Sequence, residues 1–164
     1  LNNHSIETMN PISIDGIHEI PTRTGKVVIP DALAADVAQF HYAPARRAGD
    51  VVHLSGIVAC QRGTGAMDEA GFEHELRSVF RQIERLLLAC DARLDDVVEL
   101  QMFHVFGSAK LRLDKAGQLA AMARVRDEFF AAPYPAAVEL AVAELNPDGG
   151  LVEIKATAFA PLGR

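Results

Sequence analysis

Between Asp68 and Cys90 the apolar residues Phe72, Leu76, Val79, Phe80, Ile83, Leu87 and Cys90 recur at the three- and four-residue steps of one helix face. A helix of this length with one unbroken apolar stripe needs an extended apolar surface to lie on. No other feature of the sequence limits the fold as strongly. The surface is to be sought in the strands around it. Val51 to Ala59 is rich in β-branched residues, with Ser55-Gly56 inside it, and a glycine within a strand marks a bulge or a close backbone approach. Asp95 to Phe106 reads as a strand with Val98, Leu100 and Met102 on one face and Glu99 and Gln101 on the other. Asp114 can cap a second helix running to Phe130, with Leu119, Met122, Val125 and Phe129 inward.

Two closing strands follow. Val138, Leu140 and Val142 alternate with Ala137, Glu139 and Ala141, and Val152, Ile154, Ala156 and Ala158 alternate with Glu153, Lys155 and Thr157. The turn cluster Asn146-Pro147-Asp148-Gly149-Gly150 predicts that they form a hairpin. In that hairpin Glu139 and Lys155 would be diagonal neighbours on one face, each compensating the other's charge. The order β–α–β–α–β–β predicts one mixed sheet with two long helices packed on one face, an α+β domain. The second sheet face carries too few charges for a fully wet surface, which points to a partner subunit.

The first forty residues have a different texture and read as an N-terminal extension (1–40) before the main domain (41–164). Residues 1–11 are polar. Ile12 to Ile20 suits a hairpin turning at Asp15-Gly16, Thr22 to Lys26 a loop, Val27 to Ile29 a strand, and Asp31 to Gln39 a short helix.

Composition narrows the chemistry. Lys and Arg total 16 against 22 Asp and Glu, a net charge of −6, and an acidic surface disfavours nucleic acid as a partner. Arg77, Arg81 and Arg85 form a basic helix stripe, read first as a solvated face. The two cysteines, Cys60 and Cys90, form no framework and no CxxC pair, as expected of free thiols in a reducing compartment. No run approaches the ~18 apolar residues of a membrane span, and the polar N-terminus lacks the apolar core of a secretion signal. A cytoplasmic protein is the expectation. The six histidines show no metal-ligand spacing, so no metal site is expected, and no phosphate-binding loop or nucleophile elbow is present. Candidates for acid–base work are Glu139 and Glu153, carboxylates on strands, and the strand histidines His53 and His104, either of which could shuttle a proton if it faced a cleft.

Several segments together carry a family resemblance. They are Tyr42, then six residues on Gly49-Asp50-Val51-Val52-His53-Leu54-Ser55-Gly56; Leu94-Asp95-Asp96-Val97-Val98 after the long helix; Asp127-Glu128-Phe129-Phe130; Pro135-Ala136; and Leu151-Val152-Glu153-Ile154-Lys155-Ala156. In order and spacing this set resembles the reactive intermediate deaminase family, also called Rid, YjgF-like or endoribonuclease L-PSP. The resemblance covers roughly residues 40–160.

It implies a chorismate-mutase-like fold and a barrel-like homotrimer with a small-molecule cleft between subunits. It also implies hydrolysis of enamines and imines to 2-keto acids and ammonia without metal or cofactor. Carried over residue by residue, Tyr42 lines the pocket, Ser55 and Gly56 form the strand motif, and Glu153 orients water. His104 is a further candidate for the pocket. The family's carboxylate-gripping Arg falls on Ala137, and the two following positions, usually Ser and then Cys or Thr, are Val138 and Glu139. A substrate carboxylate thereby loses its guanidinium partner. A hydrolase of another imine and a non-catalytic trimeric binding protein both remain open. RNA cleavage is disfavoured by the charge.

Overall fold

The computed structural model describes residues 12–14 and 16–163, with side chains from residue 16 onward. Its strands are β1 (Ile12–Ile14), β2 (Ile17–Thr22), β3 (Gly25–Pro30), β4 (Ala45–Ala48), β5 (Val51–Leu54), β6 (Ile57–Cys60), β7 (Val97–His104), β8 (Ala136–Ala141) and β9 (Gly150–Phe159). Its α-helices are α1 (Ala34–Phe40), α2 (Glu69–Ala89) and α3 (Lys115–Phe129). All the strands belong to one sheet in the order β1-β2-β3-β4-β5-β9-β7-β8, with β6 pairing β9 beyond the end of β5.

The two long helices form where the sequence places them. Asp68 and Asp114 each accept a hydrogen bond from the backbone N–H three residues on, at Gly71 and Gly117, which satisfies an otherwise orphaned donor of the first turn. The α2 stripe is buried along its length, and Phe72, Leu76, Phe80, Ile83 and Leu87 show no exposed surface. They pack on Val52, Leu54, Leu100, Met102, Ile154 and Ala156 from the central strands, and Ala121, Met122 and Val125 bring α3 onto the same core. The Phe80 ring stacks on Phe129 with centroids 5.1 Å apart. Two helices on one face of a mixed sheet is the predicted architecture.

Arg77 of the basic stripe is built into the contact between the helices. Arg77 pairs with Glu73 at 3.1 Å and Glu128 at 2.6 Å, and Arg124 of α3 pairs with Glu69 and Glu73. Pairing with acidic neighbours reduces the pull of Arg77 on phosphates.

Four expectations change. First, β8 and β9 are not a hairpin. Strand β7 lies between them, antiparallel to β9 and parallel to β8. A parallel pair needs a crossover of a dozen or more residues, and α3 supplies it between β7 and β8. Second, the charges of Glu139 and Lys155 lie on opposite sheet faces. Glu139 pairs in register with Met102, which is buried under the helices, whereas Lys155 pairs with Gln101 on the open face. Third, Val98 is 49% exposed, because the register shifts between Val97 and Glu99 and Val97 takes the inward place. Fourth, residues 22–26 form a β-hairpin rather than a loop, with Thr22 paired to Gly25. Pro21 is tolerated there because, among the described residues, β1 pairs only as far as Glu19, so its missing N–H meets no described strand on that side.

Strand β3 pairs with β4, so the described part of the N-terminal segment extends the same sheet. The turn predicted at Asp15-Gly16 lies at the connection from β1 to β2, with Asp15 itself outside the described residues. The open sheet face is semi-apolar, but with partly different residues from those expected. Val138, Leu140 and Phe159 are 40%, 48% and 48% exposed on it, whereas Ala137, Glu139 and Ala141 belong to the helix side.

Candidate functional site

The run from Val51 to Cys60 breaks at Ser55-Gly56. Before the break β5 pairs with Thr157–Phe159, and after it β6 pairs with the first half of β9. The two broken residues therefore face the middle of β9, around Lys155. Ser55 ties a second segment to this point: its N–H donates to Pro44 O at 2.9 Å and its hydroxyl to Ala43 O at 2.7 Å. The chain immediately after Tyr42 is thereby fastened beside the break. Tyr42 is half-buried, and burial, with Asp36 nearby, pushes its phenol above the ordinary range.

Gly56 has a specific steric reason. A Cβ on it would lie 1.7 Å from Glu153 Oε1 and 2.6 Å from Glu153 Cγ. The Glu153 side chain therefore lies directly against the Gly56 backbone, on the open face, between Val58 of β6 and Phe103 of β7. Burial alone holds the Glu153 carboxyl above the usual carboxylate range, with no cation contributing. Ser55, Gly56 and Glu153, three of the residues carried over from the family resemblance, are thus brought together.

This carboxyl makes a pH prediction. A carboxyl whose folded pKa is raised favours folding while it is protonated, and that contribution is lost as pH rises from the unfolded value, about 4.3, through the folded one. Glu153→Gln is therefore expected to raise the melting temperature relative to wild type at pH 8, with the gain vanishing below pH 4. Thermal melts across that range check it.

The other candidates form a second group on the helix side of the sheet, at the β8 edge. His104 is fully buried, stacked on Phe106 with centroids 5.0 Å apart, and its Nδ1 lies 3.4 Å from the Gln118 amide nitrogen. Its Nε2 is 3.6 Å from Glu139 Oε2 and has no hydrogen-bond partner among the described residues. Burial lowers the His104 pKa and Glu139 opposes the shift, so burial favours the neutral ring. Glu139 accepts a hydrogen bond from Arg126 at 3.2 Å. Ala137 is exposed, two residues earlier on the same strand face. Within one chain, Ala137, Glu139 and His104 thus lie across the sheet from Glu153.

Of the other arginines near the break, Arg47 is buried and committed to backbone carbonyls of Cys90, Asp91 and Ala160. Arg46 stands exposed on the open face beside His53, and Arg62 is exposed in the loop after β6. Arg126 and Gln118 were missed from the sequence. Gln118 sits one helical turn before Met122 on the buried face of α3, a signal that the periodicity did contain. Arg126 is on a helix that the strand motifs do not touch. Two surface hollows, of about 370 and 520 Å³, surround Leu88 and Arg93 at the end of α2, and none of the candidate residues lines them.

Comparison with known proteins agrees with this geometry. The family model described as Endoribonuclease L-PSP matches residues 31–160. A protein of Dermatophagoides farinae named 2-iminobutanoate/2-iminopropanoate deaminase is 29% identical over 114 residues, 70% of this chain and 81% of its own length. The solved structure of the protein YJGH is 30% identical with a TM-score of 0.60, covering 76% of this chain and 88% of its own. That of Rv2704, a YjgF-family protein from Mycobacterium tuberculosis, superposes with a TM-score of 0.61 at 24% identity, covering 77% of this chain and 93% of its own, and so speaks for the fold. The helix-backed mixed sheet, the Ser55-Gly56 break packed on Glu153 and a family match over most of the chain agree: the chain belongs to the endoribonuclease L-PSP (YjgF/Rid) family.

Proposed function

We propose that this protein is a cofactor-independent hydrolase of an imine or enamine, and that ordinary 2-imino acids are poor substrates for it. The observation that carries the reading is the Glu153 carboxyl, desolvated and held against Gly56 on an open sheet face. A carboxyl tuned upward in this way suits proton transfer near neutral pH. Glu153 as carboxylate takes a proton from water while the water oxygen bonds to the C=N carbon. It then returns the proton to the nitrogen, giving a carbinolamine; the carboxylate next takes the hydroxyl proton and passes it to the nitrogen as C=O forms and the C–N bond breaks, releasing ammonia. The net change is imine plus water to ketone plus ammonia. Tyr42 and Ser55 flank the place where the substrate would lie. The free thiols Cys60 and Cys90 fit a protein working in the cytoplasm.

The cleft would be completed by neighbouring copies in a homotrimer. Val138, Leu140 and Phe159 leave apolar surface on the open face, and β8 leaves a bare sheet edge. A head-to-tail contact repeated three times closes and buries such a face on every copy. Light scattering is expected to give three chain masses at micromolar concentration, and a monomer mass overturns the assembly.

Ala137 carries the substrate restriction. A carboxylate entering a cleft without a guanidinium lacks a charge-assisted bond worth about 1.5–3 kcal/mol, a tenfold or greater loss in rate if it acts in the transition state. With 2-iminobutyrate generated in situ by an amino-acid oxidase, wild type is expected to release ammonia slowly, and Ala137→Arg at least tenfold faster. Rapid release by wild type overturns this point. A binding protein without chemistry is the second reading, favoured by the same missing cation. It is supported if no imine in a panel, with or without a carboxylate, yields ammonia.

A further inference from the structure

We propose that Glu139, held at the β8 edge by Arg126 and backed by the buried His104, is a specificity residue that receives a planar cation, so that the protein selects protonated imines or amines lacking a neighbouring carboxylate. This deepens the imine-hydrolase reading and rests on it for the identity of the substrate.

Gln118 is 1% exposed. Its amide nitrogen lies 3.1 Å from Leu151 O, a group that only accepts, so the nitrogen end of the amide must face it. The second N–H of that amide is directed at His104 Nδ1, 3.4 Å away. Nδ1 is then the acceptor, and in the neutral ring the proton sits on Nε2. That N–H points toward Glu139 Oε2 but stops at 3.6 Å, so a fully buried donor waits just short of a carboxylate. Buried donors are rarely left unmet.

Glu139 is held in its orientation from two sides. Oε1 takes the Arg126 N–H at 3.2 Å, and Oε2 faces the His104 N–H. A carboxylate has about four lone-pair sites, and the side chain remains 31% exposed, so it can accept further bonds from outside. The surrounding charges favour a cation. Glu139 and Asp127 are negative and Arg126 positive, with Asp127 Oδ1 3.8 Å from Arg126 Nε. Burial favours the neutral form of His104, and the Lys115 ammonium is engaged over the Phe106 ring, 5.1 Å from its centroid. Next to this carboxylate on the same strand face stands Ala137, whose small side chain leaves room for a planar group. A cationic C=N–H group seated there donates to Glu139. A substrate carboxylate in the same place meets repulsion.

The test is a binding measurement, independent of turnover. Isobutyramidinium is a planar, hydrolysis-resistant mimic of a protonated imine, and 2-oxobutyrate is the anionic counterpart. In NMR titrations of the full chain, wild type is expected to bind the amidinium at least tenfold more tightly than 2-oxobutyrate. Glu139→Gln, which keeps an oxygen for Arg126, should weaken amidinium binding about tenfold or more. Arg126→Gln should strengthen it by removing the competing cation. A merely structural role for Glu139 would weaken binding in both variants, and that result overturns the proposal. So does tighter binding of 2-oxobutyrate, unchanged affinity in Glu139→Gln, or no amidinium binding at all. If the amidinium follows the expected order but no imine is hydrolysed, the hydrolase reading fails and the cation site stands. If imines are hydrolysed and Glu139→Gln alters neither affinity nor substrate preference, the site fails and the hydrolase stands.

Discussion

Arg47→Met is expected to destabilise the fold by about 3–4 kcal/mol and to lower the melting temperature by about 10 °C. The substitution nearly conserves volume, so packing is not the reason. The guanidinium is 3% exposed and has no carboxylate partner within ion-pair distance among the described residues. Its charge is instead met by backbone oxygens: the Cys90 carbonyl at 2.7 Å, the Asp91 carbonyl at 3.4 Å and the Ala160 carbonyl. Cys90 and Asp91 end helix α2, where the aligned peptide dipoles concentrate negative potential and the last carbonyls lack helical partners. Ala160 ends β9. One side chain from β4 therefore caps the long helix and fastens the last strand to it. Removing it leaves buried acceptors unsatisfied, which costs more than the average hydrogen bond contributes. Arg47→Lys should recover only part of the loss, because a single ammonium cannot span carbonyls that a planar fork reaches together. Equilibrium denaturation of the three proteins checks this, and an Arg47→Met midpoint within 2 °C of wild type overturns it.

Gly56→Ala is expected to abolish hydrolysis, by a hundredfold or more, while leaving the fold in place. The added methyl would occupy the position of the Glu153 carboxylate, with three Glu153 atoms inside 2.7 Å. Backbone on both sides is fixed by pairing to β9, so the side chain is what moves. Displaced in this way, Glu153 would lose the alignment on which the proposed proton transfer depends. The stability cost should be that of modest overpacking, about 1–3 kcal/mol. A second comparison separates steric from indirect effects. In a Glu153→Ala background the obstructing carboxylate is gone, so adding Gly56→Ala should cost little further stability. Full activity in the single variant, or equal costs in both backgrounds, would show that the contact does not matter.

Much of this architecture is legible in local pattern. The α2 stripe, the cap at Asp114, and the alternation of Val152, Ile154, Ala156 and Ala158 with Glu153, Lys155 and Thr157 all appear as read. Each depends on spacing within a single element, which the backbone periods of 3.6 and 2 translate directly into a face. The glycine inside the first long strand is also legible, since only a residue without a Cβ permits the approach of Glu153.

What local pattern could not decide is which strands are neighbours. The turn residues after β8 look like those of a hairpin, and nothing in β8 or β9 alone says that β7 enters between them. That choice is made by long-range burial: β7, buried along one face at Leu100, Met102 and His104, occupies an inner position in the sheet, and α3 provides the crossover that lets β8 run parallel beside it. The consequence is chemical. Inserting one strand breaks the pairing expected for Glu139 and Lys155 and sends their charges to opposite faces. Glu139 then meets His104 and Arg126, and Lys155 remains beside Gln101 on the face of Glu153. The sequence by itself determined most of the elements, their buried faces and the need for a close approach at Gly56, because these follow from side-chain period and size. The tertiary structure alone decided strand order, the carbonyl cap made by Arg47 and the company of Glu139, because residues distant along the chain become neighbours only when the whole core is assembled.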